Sequence, residues 1–304
     1  MNVAAALRSR VVVTHGRQLR VRLPDGAEVA ARPAQRAVRA VCGDWVLVRH
    51  DERHGEWLVS AVEPRSSALY RSNARGGGEL VAANLTMLLI VAAPVPQTDP
   101  FIIDRYLAAA HCAGLHAVVV LNKCELPRGS SLDEELAGLQ DAGYALLEVS
   151  AHGGHGLGRL RSLLIDQCTM LAGESGTGKS SLLRALVPDA EVLIGDLARD
   201  QSGRHTTTAT RLYALPLGGE LLDSPGVRDF APAVDRLEPR ALGFIEVEAL
   251  ARECRFADCQ HMAEPDCRVR AAVGTRISAR RYESYRRLRR LYERLRPRPG
   301  AQRS

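Results

Sequence analysis

The sequence predicts a multidomain chain: a small N-terminal β-barrel over residues 1–64, a central α/β domain over 65–232 and a C-terminal helical module over 233–304. Three observations predict it. The first part consists of short runs of alternating apolar and polar residues, "RVVVTHG", "LRVRLPDG", "AVCGDWVLVRH" and "GEWLVSAVEPR", separated by Gly or Pro-Asp-Gly turns. Such alternation marks half-buried antiparallel strands. From residue 85 apolar strand-like runs alternate with helical stretches, the pattern of βαβ crossovers on a parallel sheet. Beyond Pro232 the chain becomes helical, then Cys-rich, then basic.

Each element follows in order. A five-stranded barrel of the oligonucleotide-binding (OB) kind fits the length of the first part, although other small barrels fit the same pattern. "YRSNARGGGE" (70–79) reads as a flexible, turn-rich joint. "LTMLLIVAA" (85–93) is a buried strand and "PFIIDRYLAAAHCAG" a helix, followed by strand "HAVVVLNK", helix "SLDEELAGLQDAG" and strand "ALLEVSA". A helix around "GLGRLRSLLI" precedes "CTMLAGESGTGKSSLLRALV", a strand, glycine-rich turn and helix in succession. "RLYALPLGGELLDSPG" reads as a hairpin turning at Gly218-Gly219, its second strand ending at Asp223.

Composition excludes some classes. With 46% hydrophobic and 25% charged residues the chain is an ordinary soluble protein. Its longest apolar stretch, "LTMLLIVAAPV", is too short to span a bilayer, and "MNVAAALRSR" has no secretory apolar region, so a cytoplasmic protein with no membrane partner is expected. Seven cysteines, four of them scattered (Cys42, Cys112, Cys124, Cys168), argue for reduced thiols. Net charge is +6, yet Arg276 to Ser304 carries eleven arginines against Glu283 and Glu293. That tail fits a polyanionic partner, nucleic acid first. It equally fits a helix packing Tyr285, Leu288, Tyr292 and Leu295 inward and exposing its arginines.

"GESGTGKS" (Gly173, Glu174, Ser175, Gly176, Thr177, Gly178, Lys179, Ser180, with Ser181 following) matches G-x-x-x-x-G-K-[ST] between a strand and a helix. Glycines let successive backbone N–H groups turn inward around phosphates while the helix points its positive end at them. Lys179 can reach the β- and γ-phosphates, and Ser180 can ligate Mg²⁺. Asp223-Ser-Pro-Gly226 follows the hairpin: Asp223 at a strand end can hold Mg²⁺ through water, and the Gly226 N–H can face a γ-phosphate. "GRHTTTAT" offers Thr206, Thr207 and Thr208 for magnesium, with Thr207 standing for the three and the assignment among them open, and His205 for positioning water or, equally, for ordering the loop or touching RNA.

Asn122-Lys123-Cys124-Glu125 ends another strand. A carboxylate there accepts two guanine N–H groups and rejects adenine, while Asn122 and Lys123 brace base and loop. Ser150-Ala151, at the next strand end, would contact the guanine oxygen. The order is Asn-Lys-x-Glu, Ser-Ala, phosphate loop, threonine loop, Asp-x-x-Gly: the standard GTPase set, rotated. With "AAN", "DRYL", "GESGTGKSSL", "GRHTTT" and "DSPGVRDF" the chain resembles the circularly permuted GTPases, and within them the RsgA/YjeQ family of small-ribosomal-subunit-dependent GTPases. That family usually has Asp where Glu125 stands and commonly Val where Thr177 stands. Val227 replaces the water-orienting Gln of Ras-like enzymes, a feature the family shares.

Cys254-x4-Cys259-x-His261-x5-Cys267 supplies four ligands of the kind tetrahedral zinc takes, with no open position, so one structural Zn²⁺ per subunit is expected. The resemblance implies a monomeric GTPase, slow alone and stimulated by the 30S subunit, that binds 16S rRNA and acts in late subunit maturation. Two alternatives stand: an ATP-dependent P-loop enzyme, and an RNA-binding module using GTP only as a signal. A nucleotide-driven shift of the zinc module through "VRDFAP" (227–232) is also expected.

Overall fold

The structure is a computed structural model and describes residues 6–16, 18–72, 77–188, 209–224 and 232–296. The N-terminal strands are β1 (Leu7–His15), β2 (Gln18–Arg22), β3 (Glu28–Pro33), β4 (Trp45–Asp51) and β5 (Glu56–Val62). They run in the order β1-β2-β3-β5-β4, and β4 pairs back onto β1, closing a five-stranded barrel. Closure is what the sequence pattern left open, and it selects the OB-like reading. Inward-facing Val11, Leu19, Val21, Val46, Val48 and Val59 fill the interior.

The two ends of the 70–79 joint are strands, while residues 73–76 between them lie outside the described residues. The joint contains the facing ends of a β-hairpin, β6 (Ala68–Ser72) with β7 (Gly78–Ala83). The Gly-rich stretch suggested flexibility, but the strand residues flank it on both sides. Asn84 then locks the hairpin to the barrel: its amide donates to Gly43 O at 2.9 Å and its Oδ1 accepts from Ser66 N at 2.9 Å.

The central sheet comprises β8 (Met87–Ala92), β9 (His116–Leu121), β10 (Ala145–Glu148), β11 (Cys168–Ala172), β12 (Thr210–Ala214) and β13 (Glu220–Asp223), ordered β10-β9-β8-β11-β13-β12. All pairs are parallel except the β12–β13 hairpin. Strand β8 is buried on both faces, as an unbroken apolar run requires. Leu88 and Ile90 face helices α1 (Pro100–Cys112) and α2 (Ser130–Asp141); Met87, Leu89 and Val91 face α3 (Leu157–Leu163) and α4 (Lys179–Leu186).

Barrel and central sheet are continuous. A bulge between Val11 and Val13 bends β1, so that Leu7–Arg10 pairs with β4 while Val13 and Thr14 pair with Arg211 and Thr210 of β12. Ion pairs reinforce the junction: Glu28 meets Arg211 at 3.1 Å, and Glu220 meets Arg10 at 3.2 Å and Arg22 at 3.1 Å.

The C-terminal part holds α5 (Ile245–Ala251), α6 (Arg268–Ala271) and α7 (Ala279–Leu295). Its core, with Phe244, Val247, Val269, Tyr285 and Leu288, packs on Ala108 and Ala109 of α1. At this contact Arg281, buried, pairs with Asp104 of α1 and with Glu246 at 2.7 Å. Arg280 joins Asp104 to Glu135 of α2. The basic tail is therefore partly packed: Arg281 and Arg289 are buried, and other arginines of α7 are exposed. Among the described residues no helix is long and apolar enough to cross a membrane.

Candidate nucleotide site and metal centre

Because β8, β9, β10, β11 and β13 are parallel, their carboxyl ends lie along one edge of the sheet. That edge is where open α/β sheets bind ligands. Asn122 follows β9, Ser150 follows β10, Gly173 follows β11 and Asp223 ends β13. Motifs scattered over a hundred residues thus converge.

The phosphate loop spans Gly173 to Ser180, with Ser175 and Gly176 exposed at its tip. Lys179, the first residue of α4, is buried, and its ammonium donates to Gly173 O at 2.7 Å and Glu174 O at 2.5 Å. Ser180 and Ser181 sit half-buried in the same first turn. The Thr177 hydroxyl donates to Glu174 O at 2.9 Å, a brace across the loop that a valine lacks. Gly178 has φ +93°, and a Cβ there would fall 2.2 Å from Asn122 Nδ2. Only glycine allows this approach.

Asn122 uses that approach. Its Nδ2 donates to Thr177 O at 2.9 Å, and its Oδ1 accepts from Ala151 N at 3.1 Å. One buried amide thus joins the phosphate loop to the Ser150-Ala151 turn. Lys123, at φ 59°, donates to Val95 O at 2.7 Å and to Gly176 O at 2.8 Å. Glu125 is exposed beside these residues. Its own backbone N–H, then the Ser150 hydroxyl, hold its carboxyl below the usual range, so it stands ionised at the edge. Asp223 is buried at the end of β13, where the adjacent Ser224 hydroxyl bonds that of Thr210 at 2.8 Å. Three expected site residues, His205, Thr207 and Gly226, lie outside the described residues.

The second centre brings Cys254, Cys259, His261 and Cys267 together, with ligand atoms all within 4.8 Å of one another. Tetrahedral zinc, with bonds of about 2.3 Å to sulfur and about 2.05 Å to nitrogen, sets S···N edges of about 3.55 Å and S···S edges of about 3.8 Å. His261 Nδ1 lies 3.6 Å from Cys254 Sγ and 3.5 Å from Cys267 Sγ, and the two sulfurs are 4.0 Å apart. The donors fit. Burial, with Arg289 nearby, lowers the His261 pKa to about 4, leaving a neutral imidazole at pH 7. Burial pushes the Cys259 thiol up to about 12, so a cation is needed to draw out its thiolate.

Glu264 was not singled out from the sequence. Its carboxylate accepts from Gln260 N and Met262 N at 2.8 Å and from Ala263 N at 3.0 Å, shaping the loop between His261 and Cys267. These amide bonds outweigh its desolvation and hold its pKa near 2. An acid midway between two ligands was the available signal.

Strand order and edge motifs define a P-loop GTPase whose motif order is circularly permuted, carrying a barrel before it and a Cys/His module after it. The RsgA GTPase family profile matches residues 62–232. The chain is 42% identical over 287 residues to the small ribosomal subunit biogenesis GTPase RsgA of Pseudomonas putida strain F1, covering 91% of this chain and 83% of that one. With the protein of the same name from Shewanella oneidensis strain MR-1 it shares 38% over 290 residues, 91% and 81% of the two chains. The crystal structure of YjeQ from Thermotoga maritima aligns with TM-score 0.73 at 27% identity, over 95% of this chain and 99% of that one. YloQ, described as a circularly permuted GTPase, shares the fold, with TM-score 0.71 at 21% identity over 98% of each chain. The chain belongs to the RsgA GTPase family.

Proposed function

We propose that this protein hydrolyses GTP to GDP and phosphate in the late maturation of the 30S ribosomal subunit, binding 16S rRNA in the cytoplasm and leaving on hydrolysis. The observation that carries the reading is Asn122, whose single amide fastens the phosphate loop to the turn at Ser150-Ala151.

The roles follow from chemistry. Backbone N–H groups from Gly173 to Ser180 surround the phosphates. Lys179, which caps loop carbonyls here, turns to the β- and γ-phosphates and offsets their charge. Glu125 accepts from the guanine N–H pair, and the Ala151 N–H meets the guanine oxygen. Ser180 and Asp223, with Thr207, would hold the Mg²⁺ that accompanies GTP and neutralises charge on its phosphates. His205 orients the attacking water and the Gly226 N–H faces the γ-phosphate. Zinc on Cys254, Cys259, His261 and Cys267 is structural, because four protein ligands leave no position for substrate.

Phosphate release from GTP, ATP and XTP, each with and without purified 30S subunits, tests the reading. GTP should be preferred, and the subunit should accelerate its hydrolysis. Preference for ATP would remove the guanine reading. A GTP-binding protein that the subunit fails to stimulate would be one that uses GTP only as a signal.

A further inference from the structure

The eleven arginines of the tail were a single feature in the sequence, and the fold divides those of α7. Arg280 and Arg281 face acids of the central domain, and Arg289 bonds the Tyr285 hydroxyl at 2.7 Å and Arg240 O at 2.9 Å. These three hold the structure together. Arg287, Arg290 and Arg294 recur at three- and four-residue spacing, which places them on one helix face, and all three are exposed.

Helix α1 continues that face. The Arg287 guanidinium lies 4.0 Å above the Phe101 ring, and that of Arg105 lies 5.9 Å from the same ring. Arg105 Nε is buried and has no hydrogen-bond partner among the described residues. The acids on this face are sparse: Glu283 is 3.6 Å from Arg290 and is itself shared with Arg286 at 2.9 Å. Asp104, the nearest acid in α1, is occupied by Arg280 and Arg281. A merely structural role, arginine stems covering Phe101, accounts for Arg287. It does not use the exposed guanidinium groups of Arg290 and Arg294.

We propose that Arg105, Arg287, Arg290 and Arg294, interleaved with Phe101, form one composite ridge across α1 and α7 that contacts the phosphate backbone of a folded RNA. This deepens the proposed function and rests on its ribosomal partner. Arginine is the residue suited to such a surface, because its planar fork matches phosphate oxygens and stacks on aromatic rings. Several like charges on one face oppose each other in the free protein and are relieved by a polyanion that displaces its counterions. The ridge joins two domains, so a partner lying on it would touch the zinc module and the nucleotide domain together. Its α1 end lies next to the phosphate loop, where Glu174 accepts from Asp99 N at 2.8 Å.

The test is the salt dependence of binding, with purified 30S subunits and with protein-free 16S rRNA as separate probes. The variants are Arg105→Gln/Arg287→Gln and the exposed pair Arg290→Gln/Arg294→Gln. Each pair should weaken binding to both probes severalfold and lower the slope of log K against log salt by about 2, roughly one unit per lost phosphate contact. Zinc content and basal GTP hydrolysis should not change, because none of the four touches either site. If the exposed pair binds both probes as the wild type does, with the same slope, the ridge is only a cover and the proposal falls. Weakened binding to the subunit but not to bare rRNA would mean an acidic protein partner and also overturn it. A wild type that binds neither probe would instead count against the ribosomal reading itself.

Discussion

Asn122 divides its side chain between two loops, and Glu125, three residues on, presents a charge beside them. Neither role was legible in the tetrapeptide Asn-Lys-Cys-Glu alone, which is a common loop sequence. It became legible from the rotated order of its companions, which the parallel strands explain: permuting the chain leaves the carboxyl ends of the sheet where they were. What the sequence could not show is how Glu125 is steadied, because its partner Ser150 belongs to another motif. A glutamate reaches one methylene further than an aspartate would. Glu125→Asp should therefore keep GTP preferred and sharpen discrimination against ATP and XTP, read as kcat/KM for each nucleotide. Asn122→Ala would leave Thr177 O and Ala151 N unpaired in a buried site, costing about 1–3 kcal/mol. The unfolding midpoint should fall in line with that cost, and nucleotide affinity measured by calorimetry should fall with it as the two loops lose their link.

At the scale of elements, strands and helices of the central domain were predictable because their apolar periods are clean and their turns carry Gly or Pro. The hairpin of β6 and β7 was not, since Asn-Ala-Arg-Gly-Gly-Gly dominates its middle and hides the strands on either side. The metal module was legible as ligands and illegible as a loop. Glu264 supplies the missing piece, and its pKa near 2 sets a pH dependence with a definite sign. A carboxylate depressed in the folded state stabilises it fully above its ordinary value of 4.5, and that contribution fades as pH falls toward 2. Glu264→Gln should therefore release zinc more readily than the wild type at pH 7, measured by chelator competition. The gap between the two should narrow steadily below pH 4.5. A gap independent of pH would show that charge at Glu264 is irrelevant to the loop.

At the scale of the whole molecule, the domain order was readable from texture, but the joins between domains were not. Contacts such as β1 with β12, or Arg281 with Asp104, link residues nearly two hundred positions apart and leave no periodic trace. These joins bear on the expected nucleotide-driven shift of the zinc module. The segment thought to transmit it, 227–232, lies almost wholly outside the described residues. The described contact resists such a shift: Arg281 and Asp104 are both buried, and the module core packs directly on α1. Removing one partner of a buried ion pair typically costs about 3–5 kcal/mol when the other charge is left without compensation; here Glu246 still pairs with Arg281 and Glu135 with Arg280, so the cost falls below that range. Asp104→Asn should accordingly lower the unfolding midpoint and loosen the module from α1. Spin labels on non-natural side chains at the exposed Gln140 of α2 and Arg252 beyond α5 would report the spacing. In the wild type the distance should be the same with GDP and with a non-hydrolysable GTP analogue; in Asp104→Asn it should broaden or become nucleotide-dependent. A nucleotide-dependent distance in the wild type would mean that the ion cluster opens during the cycle, and that the module turns on α1 instead of moving with it.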